Sequence, residues 1–67
     1  MISYKPLWKL LVEKEMTKEQ LRARIGVSPQ TVSRMSSGEM VSLKIIDKIC
    51  EKLDCKVEDV VEYIPGR

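Results

Sequence analysis

Residues Thr17 to Gly38 read TKEQLRARIGVSPQTVSRMSSG, and this stretch decides the fold. Thr17 suits a helix N-cap, and Gln20, three residues on, can reach back to the Thr17 amide and close a capping box. Met16 and Leu21, either side of that start, are placed to pack together as a hydrophobic staple. The same grammar then repeats. Ser28 is a second N-cap, Pro29 occupies the first helical position where a missing N–H is harmless, and Val27 can staple onto Val32. Between them, Gly26 supplies the positive φ that stops one helix and lets the next leave at a steep angle. Two short helices around a glycine turn are the layout of a helix-turn-helix, whose second helix characteristically enters a DNA major groove.

Upstream of this unit, Ile2 and Tyr4 alternate with Ser3 and Lys5, a brief period-two signal that Pro6 ends. Pro6 opens a first helix of roughly ten residues, too short to persist unless packed on the motif. Leu7, Trp8 and Leu11, widened by Leu10, form its apolar face, and Trp8 is read as core. The second helix runs from about Lys18 to Ile25 and buries Leu21 and Ile25. The third, Pro29 to about Ser36, buries Val32 and Met35 and turns Gln30, Thr31, Ser33 and Arg34 outward, with a left-handed stop at Gly38.

Downstream, Ser42 is a third N-cap, with Val41 and Ile46 as a third staple. Leu43 to about Leu53 carries Ile46, Ile49, Cys50 and Leu53 on one face at helical spacing. Val57 to Val61 reads as a short fifth helix with Val57, Val60 and Val61 inward. Glu62-Tyr63-Ile64 can extend and pair with Ile2 to Tyr4, and Pro65-Gly66-Arg67 reads as a frayed tail. The expected architecture is therefore all-α: one domain over residues 1–67, a compact bundle of about five short helices with a short terminal β-ribbon.

The composition narrows function by exclusion. A chain of 67 residues buries only about 60% of its unfolded surface, which makes its stability modest. There is no histidine, so no Ser–His or Cys–His nucleophile pair can be built, and the three glycines are too scattered for a phosphate-binding loop. An enzyme is not expected. Cys50 and Cys55 alone cannot complete a tetrahedral metal site, and Cys50 lies on an apolar helical face, so both are read as free thiols acting as small hydrophobes. No metal, cofactor or small-molecule ligand is expected. No apolar run is long enough to span a bilayer and the first residues do not resemble a signal peptide, so the expected residence is cytoplasmic, away from membranes.

Net charge is only +2, but it is unevenly placed. Met1 to Gly38 holds seven basic residues against three acidic; from Glu39 onward there are five basic against seven acidic. A basic head carrying the helix-turn-helix suits a polyanion. Gln30 can make a bidentate contact to adenine and Arg34 to guanine, and their spacing of four puts both on one face. Thr31 and Ser33 are short enough to let the backbone approach while offering hydroxyls to bases. Lys18 and Lys44 flank helix amino ends, where free amides favour phosphate; Ser28 and Ser37, at the two ends of the third helix, complete the candidate backbone contacts.

The run LRARIGVSPQTVSRMSSG resembles the helix-turn-helix of the phage-repressor (Cro/CI-type, XRE-like) family of DNA-binding regulators. Leu21, Gly26, Val27 with Ser28, the Thr31-Val32-Ser33-Arg34 run and Gly38 carry the likeness. VSLKIIDKICEKLDCKVEDVVEYI is similar to the later helices of its short, single-domain members. The resemblance implies sequence-specific binding of double-stranded DNA, a role in transcription as a repressor, and Arg34 in a base-reading position. It also implies a homodimer on a two-fold operator, formed before or only on DNA. Val61, Tyr63, Ile64 and the Ile2–Tyr4 segment are the candidate apolar patch for that pairing, the alternative being that they close the core of the monomer. Two departures stand out. Arg22 occupies a position usually held by alanine where the motif helices come closest, so either its stem runs out past the contact or the helices sit further apart. Lys56 stands where a Ser or Thr usually caps the last helix. The rival reading is a protein-interaction module, or an antitoxin-like adaptor, that keeps this fold without specific DNA binding.

Overall fold

The computed structural model describes residues 1–66; Arg67, the end of the expected tail, lies outside them. The chain runs through β1 (Ile2–Ser3), α1 (Lys5–Glu13), α2 (Lys18–Ile25), α3 (Pro29–Ser36), α4 (Leu43–Leu53), a single 3-10 turn (Val57–Asp59) and β2 (Glu62–Tyr63). The strands pair antiparallel, Ile2 opposite Tyr63 and Ser3 opposite Glu62, and the Ile64 amide continues the ribbon by donating to the Met1 carbonyl at 2.7 Å.

One apolar cluster holds the elements together. Leu7 and Leu11 of α1, Leu21 and Ile25 of α2, Met35 of α3, and Ile46, Ile49 and Leu53 of α4 meet Tyr4 and Val60 in it. Leu7, Leu21, Ile49 and Val60 are fully excluded from water. Truncating any of these leucines or isoleucines to alanine would remove about 2–5 kcal/mol from a domain with little to spare. The three staple residues Met16, Val27 and Val41 are half-buried and pack on this cluster, as do Cys50 and Cys55, which are free thiols. Trp8 is half-buried at the rim instead of in the core.

The start of α2 has the expected capping box: the Gln20 amide donates to Thr17 Oγ1 at 3.1 Å and the Thr17 amide to Gln20 Oε1 at 2.8 Å. The other two starts differ. Ser28 and Ser42 have the extended backbone of an N-cap, but their hydroxyls make no capping bond. At both sites the third helical amide is taken by the serine's own carbonyl, Thr31 to Ser28 at 3.1 Å and Ile45 to Ser42 at 3.0 Å.

All four α-helices of the described residues end alike. The chain passes through positive φ at Glu15 (54°), Gly26 (71°), Gly38 (84°) and Asp54 (52°). The next amide then reaches back five residues: Met16 to the Leu11 carbonyl (2.9 Å), Val27 to Arg22 (3.3 Å), Glu39 to Arg34 (2.9 Å) and Cys55 to Cys50 (3.1 Å). This is the Schellman stop, which satisfies carbonyls that a helix end leaves orphaned.

The expected fifth helix is the one element that fails to form. Val57–Asp59 is a single turn, closed by the Lys56 amide donating to Asp59 Oδ2 at 3.0 Å. Lysine has no side-chain acceptor to cap a longer helix, and three residues further on the chain must extend for Glu62 to pair with Ser3. Just after the turn Val60 is buried and Val61 half-buried, but Val57, at its start, faces outward at 55% exposure, contrary to its expected inward place.

Candidate nucleic-acid interface

Burial of Val32 and Met35 fixes the rotation of α3 about its axis and so decides what it presents. Gln30, Ser33 and Arg34 are exposed and, with Ser37 and Glu39, line one shallow hollow on the surface. Thr31 is half-buried on the adjoining flank, where it lines a second groove with Arg34, Met40, Val41, Ser42 and Ile45. Arg34 stands on the ridge between the two. The four base-reading candidates thus share one helix face, with Arg34 at its centre.

The backbone candidates are less uniform. Ser37 sits beside the readers in the first hollow, at the stop of α3. The Ser28 hydroxyl lies 3.2 Å from that of Thr31, so the two are engaged with each other and not with the helix amides. Lys44 is exposed in the first turn of α4 and lines neither groove. Lys18 does something the sequence did not indicate. Its ammonium donates to Ser36 Oγ at 3.0 Å and lies over the Trp8 ring, 4.2 Å from the centroid. This cation–π contact and hydrogen bond tie the amino end of α2 to the carboxyl end of α3 and to α1. The rim position of Trp8 follows from that arrangement.

Arg22 resolves the first departure from the family pattern by sending its guanidinium outward. Nη1 donates to the Val27 carbonyl at 3.1 Å, Nε donates to Glu19 Oε2 at 2.9 Å, and Nη2 completes the pair with the same carboxylate. The hydrogen bond from Arg22 holds the Glu19 carboxyl below the usual carboxylate range, and the same bond raises the guanidinium's own pKa. Arg22 therefore bridges α2 to the turn after Gly26 and is not a free cation for DNA.

Two residues that sequence reading passed over also belong to this face. Glu39 brings a carboxylate to the rim of the reading hollow, and Met40 projects at 78% exposure beside Thr31 and Arg34. No periodic signal marks either, because both lie in the loop between α3 and α4.

A family model described as the Cro/C1-type HTH DNA-binding domain matches residues 6–66. The chain belongs to the Cro/C1-type helix-turn-helix family. Among relatives of this family, the HTH-type transcriptional regulator YozG of Bacillus subtilis (strain 168) is 25% identical over 56 residues, spanning 81% of this chain and 67% of that protein. The crystal structure of the transcriptional regulator VanUg (Form II) superposes with a TM-score of 0.92 at 42% identity, covering 97% of this chain and 87% of the other. The Cro/C1-type match includes the whole of α1 to α4 save Lys5, so the hollow lined by Gln30, Ser33 and Arg34 lies within the matched domain.

Proposed function

We propose that this Cro/C1-type domain is a sequence-specific transcriptional regulator, a repressor, that reads the major groove of duplex DNA with α3. Gln30, Thr31, Ser33 and Arg34 contact base edges; Lys18, Ser28, Ser37 and Lys44 contact the sugar-phosphate backbone. The observation that carries this reading is the two-sidedness of α3: Val32 and Met35 are locked into the core while a short polar face stands free. A short helix held that rigidly can deliver side chains to a groove without itself being reordered. Such a domain acts by binding and not by catalysis, in the cytoplasm where its DNA lies.

One domain reads only a few base pairs, so two copies on half-sites about one helical turn apart are needed for useful specificity. The terminal ribbon offers the apolar surface for that pairing, with Tyr63 at 69% exposure and Ile2 and Ile64 half-buried beside it. The acidic second half of the chain favours the protein-interaction reading instead. Selection of binding sites from random duplex DNA, followed by a salt titration, separates the two. A regulator yields one recurrent sequence, and its log affinity falls against log salt by about 0.9 per phosphate neutralised. An adaptor enriches no sequence.

A further inference from the structure

Met40 is a large apolar side chain held out in water at 78% exposure. The loop that carries it is nevertheless fastened on both sides. Tyr4, only 4% exposed, reaches across from the start of α1; its hydroxyl donates to the Glu39 carbonyl at 2.8 Å and accepts from the Val41 amide at 3.1 Å. One buried oxygen thus grips the residues immediately before and after Met40, and Met40 is the apex between them. On the approach to that apex, the Gly38 amide donates to the Met35 carbonyl at 3.0 Å and the Glu39 amide to Arg34 at 2.9 Å. Tyr4 is steadied in turn by β1, which precedes it, and by its ring against Trp8, centroids 6.3 Å apart. The apex opens into the groove shared with Thr31 and Arg34.

We propose that Met40 is a further specificity-determining residue, which packs its thioether on the 5-methyl group of a thymine in the major groove, with Tyr4 as its positioning residue. The inference rests on the reading of α3 as the recognition helix. On base edges in the major groove, the thymine methyl is the apolar feature that a side chain can read. Gln30, Ser33 and Arg34 are suited to hydrogen bonds; Thr31 also carries a methyl group, but its side chain is half-buried with its hydroxyl against Ser28, so the exposed Met40 presents the larger apolar surface on this face. A thioether is flexible and polarisable, which suits contact with a single methyl group. The apex adjoins Arg34 but lies beyond the helix, which places the thymine next to the base that Arg34 reads.

The test uses the site selected by the wild-type protein, with each thymine replaced in turn by deoxyuridine. That change deletes the methyl group and keeps every hydrogen-bonding group. One replacement is expected to weaken wild-type binding about fourfold, the equivalent of one buried methyl at about 0.8 kcal/mol. Met40→Ala should bind the thymine and deoxyuridine sites equally while keeping the preference that depends on Arg34. Tyr4→Phe should shrink the same ratio towards one through displacement of the apex. If Met40→Ala leaves the thymine-to-deoxyuridine ratio as in the wild type, whether or not overall binding weakens, another residue such as Thr31 reads the methyl and the proposal is overturned. It is overturned equally if no thymine methyl matters to the wild type. A wild-type protein that selects no sequence at all would instead overturn the reading of α3, a separate outcome from selecting a site that ignores Met40.

Discussion

The shared way in which the helices stop permits a paired prediction with opposite signs. Four residues carry positive φ at these stops, but two are glycine and two are Glu15 and Asp54. A side chain in the left-handed region costs about 1–2 kcal/mol, because its Cβ crowds the following carbonyl oxygen. At Gly26 a Cβ would meet no atom within 4 Å, so Gly26→Ala changes nothing but this backbone term. Part of the cost is offset by the smaller conformational entropy of alanine in the unfolded chain, about 0.4–1 kcal/mol. The net expectation is a loss of about 1 kcal/mol for Gly26→Ala and a gain of about 0.5–1 kcal/mol for Glu15→Gly. With a urea slope of about 1 kcal/mol per molar for so small a domain, the unfolding midpoint should fall by about 1 M in the first variant. It should rise by about 0.5–1 M in the second, at unchanged slope. Urea titration followed by helical circular dichroism reads both. Midpoints that move in the same direction, or a neutral Gly26→Ala, would refute the assignment of these stops to left-handed strain.

Arg34→Ala should weaken binding to the selected site by about 1–3 kcal/mol and relax the preference at one base position; equal losses on specific and random duplexes would make Arg34 a phosphate contact. Lys18→Ala should weaken all sequences about uniformly and reduce the salt slope by about 1, and it should also alter the fluorescence of Trp8, the sole tryptophan, over which the ammonium lies. An unchanged slope would leave Lys18 as a purely internal tie. Burial, assisted by the neighbouring Cys50, pushes the Cys55 thiol from 9.0 up to about 11. A raised acid pKa means that the contribution of Cys55 to stability is whole below pH 9.0 and is lost as pH rises through about 11. Alkylation of Cys55 at pH 8 should accordingly be slower than that of a free thiol such as glutathione, and rapid labelling would contradict it. Melting temperature should be indifferent to chelator, while Cys50→Ser should cost about 1–3 kcal/mol by placing a hydroxyl against the apolar cluster.

What could be read from the sequence was local. Thr17 with Gln20 and the turn at Gly26 define α2 within four residues of each bond they make, and the spacing of Ile46, Ile49 and Leu53 is that of a buried helix face. For the same reason the spacing of Gln30, Ser33 and Arg34 already places them on one face, since burial of Val32 and Met35 leaves them nowhere else to go. Valines at 57, 60 and 61 gave the same periodic signal, but a turn with no usable cap and a strand partner close behind could not become a helix. The left-handed stops at Glu15 and Asp54 carried no glycine to announce them. The bond from Lys18 to Ser36 and those from Tyr4 to the Glu39–Val41 loop join residues 18 to 37 apart. Such pairings follow from how helices dock, and no window along the chain contains both partners.

The hold of Ser36 and Trp8 on the Lys18 ammonium also bears on the entropy of complex formation. A lysine waving in solvent gives up many rotamers when it settles on a phosphate, at about 0.5–1.5 kcal/mol for each long side chain immobilised. Here part of that ordering accompanies folding, through the contacts with Ser36 and Trp8. On the proposed reading of Lys18 as a backbone contact, a phosphate that approaches the seam between α2 and α3 meets an ammonium already placed by Ser36 and Trp8, and its capture requires less further ordering of the protein.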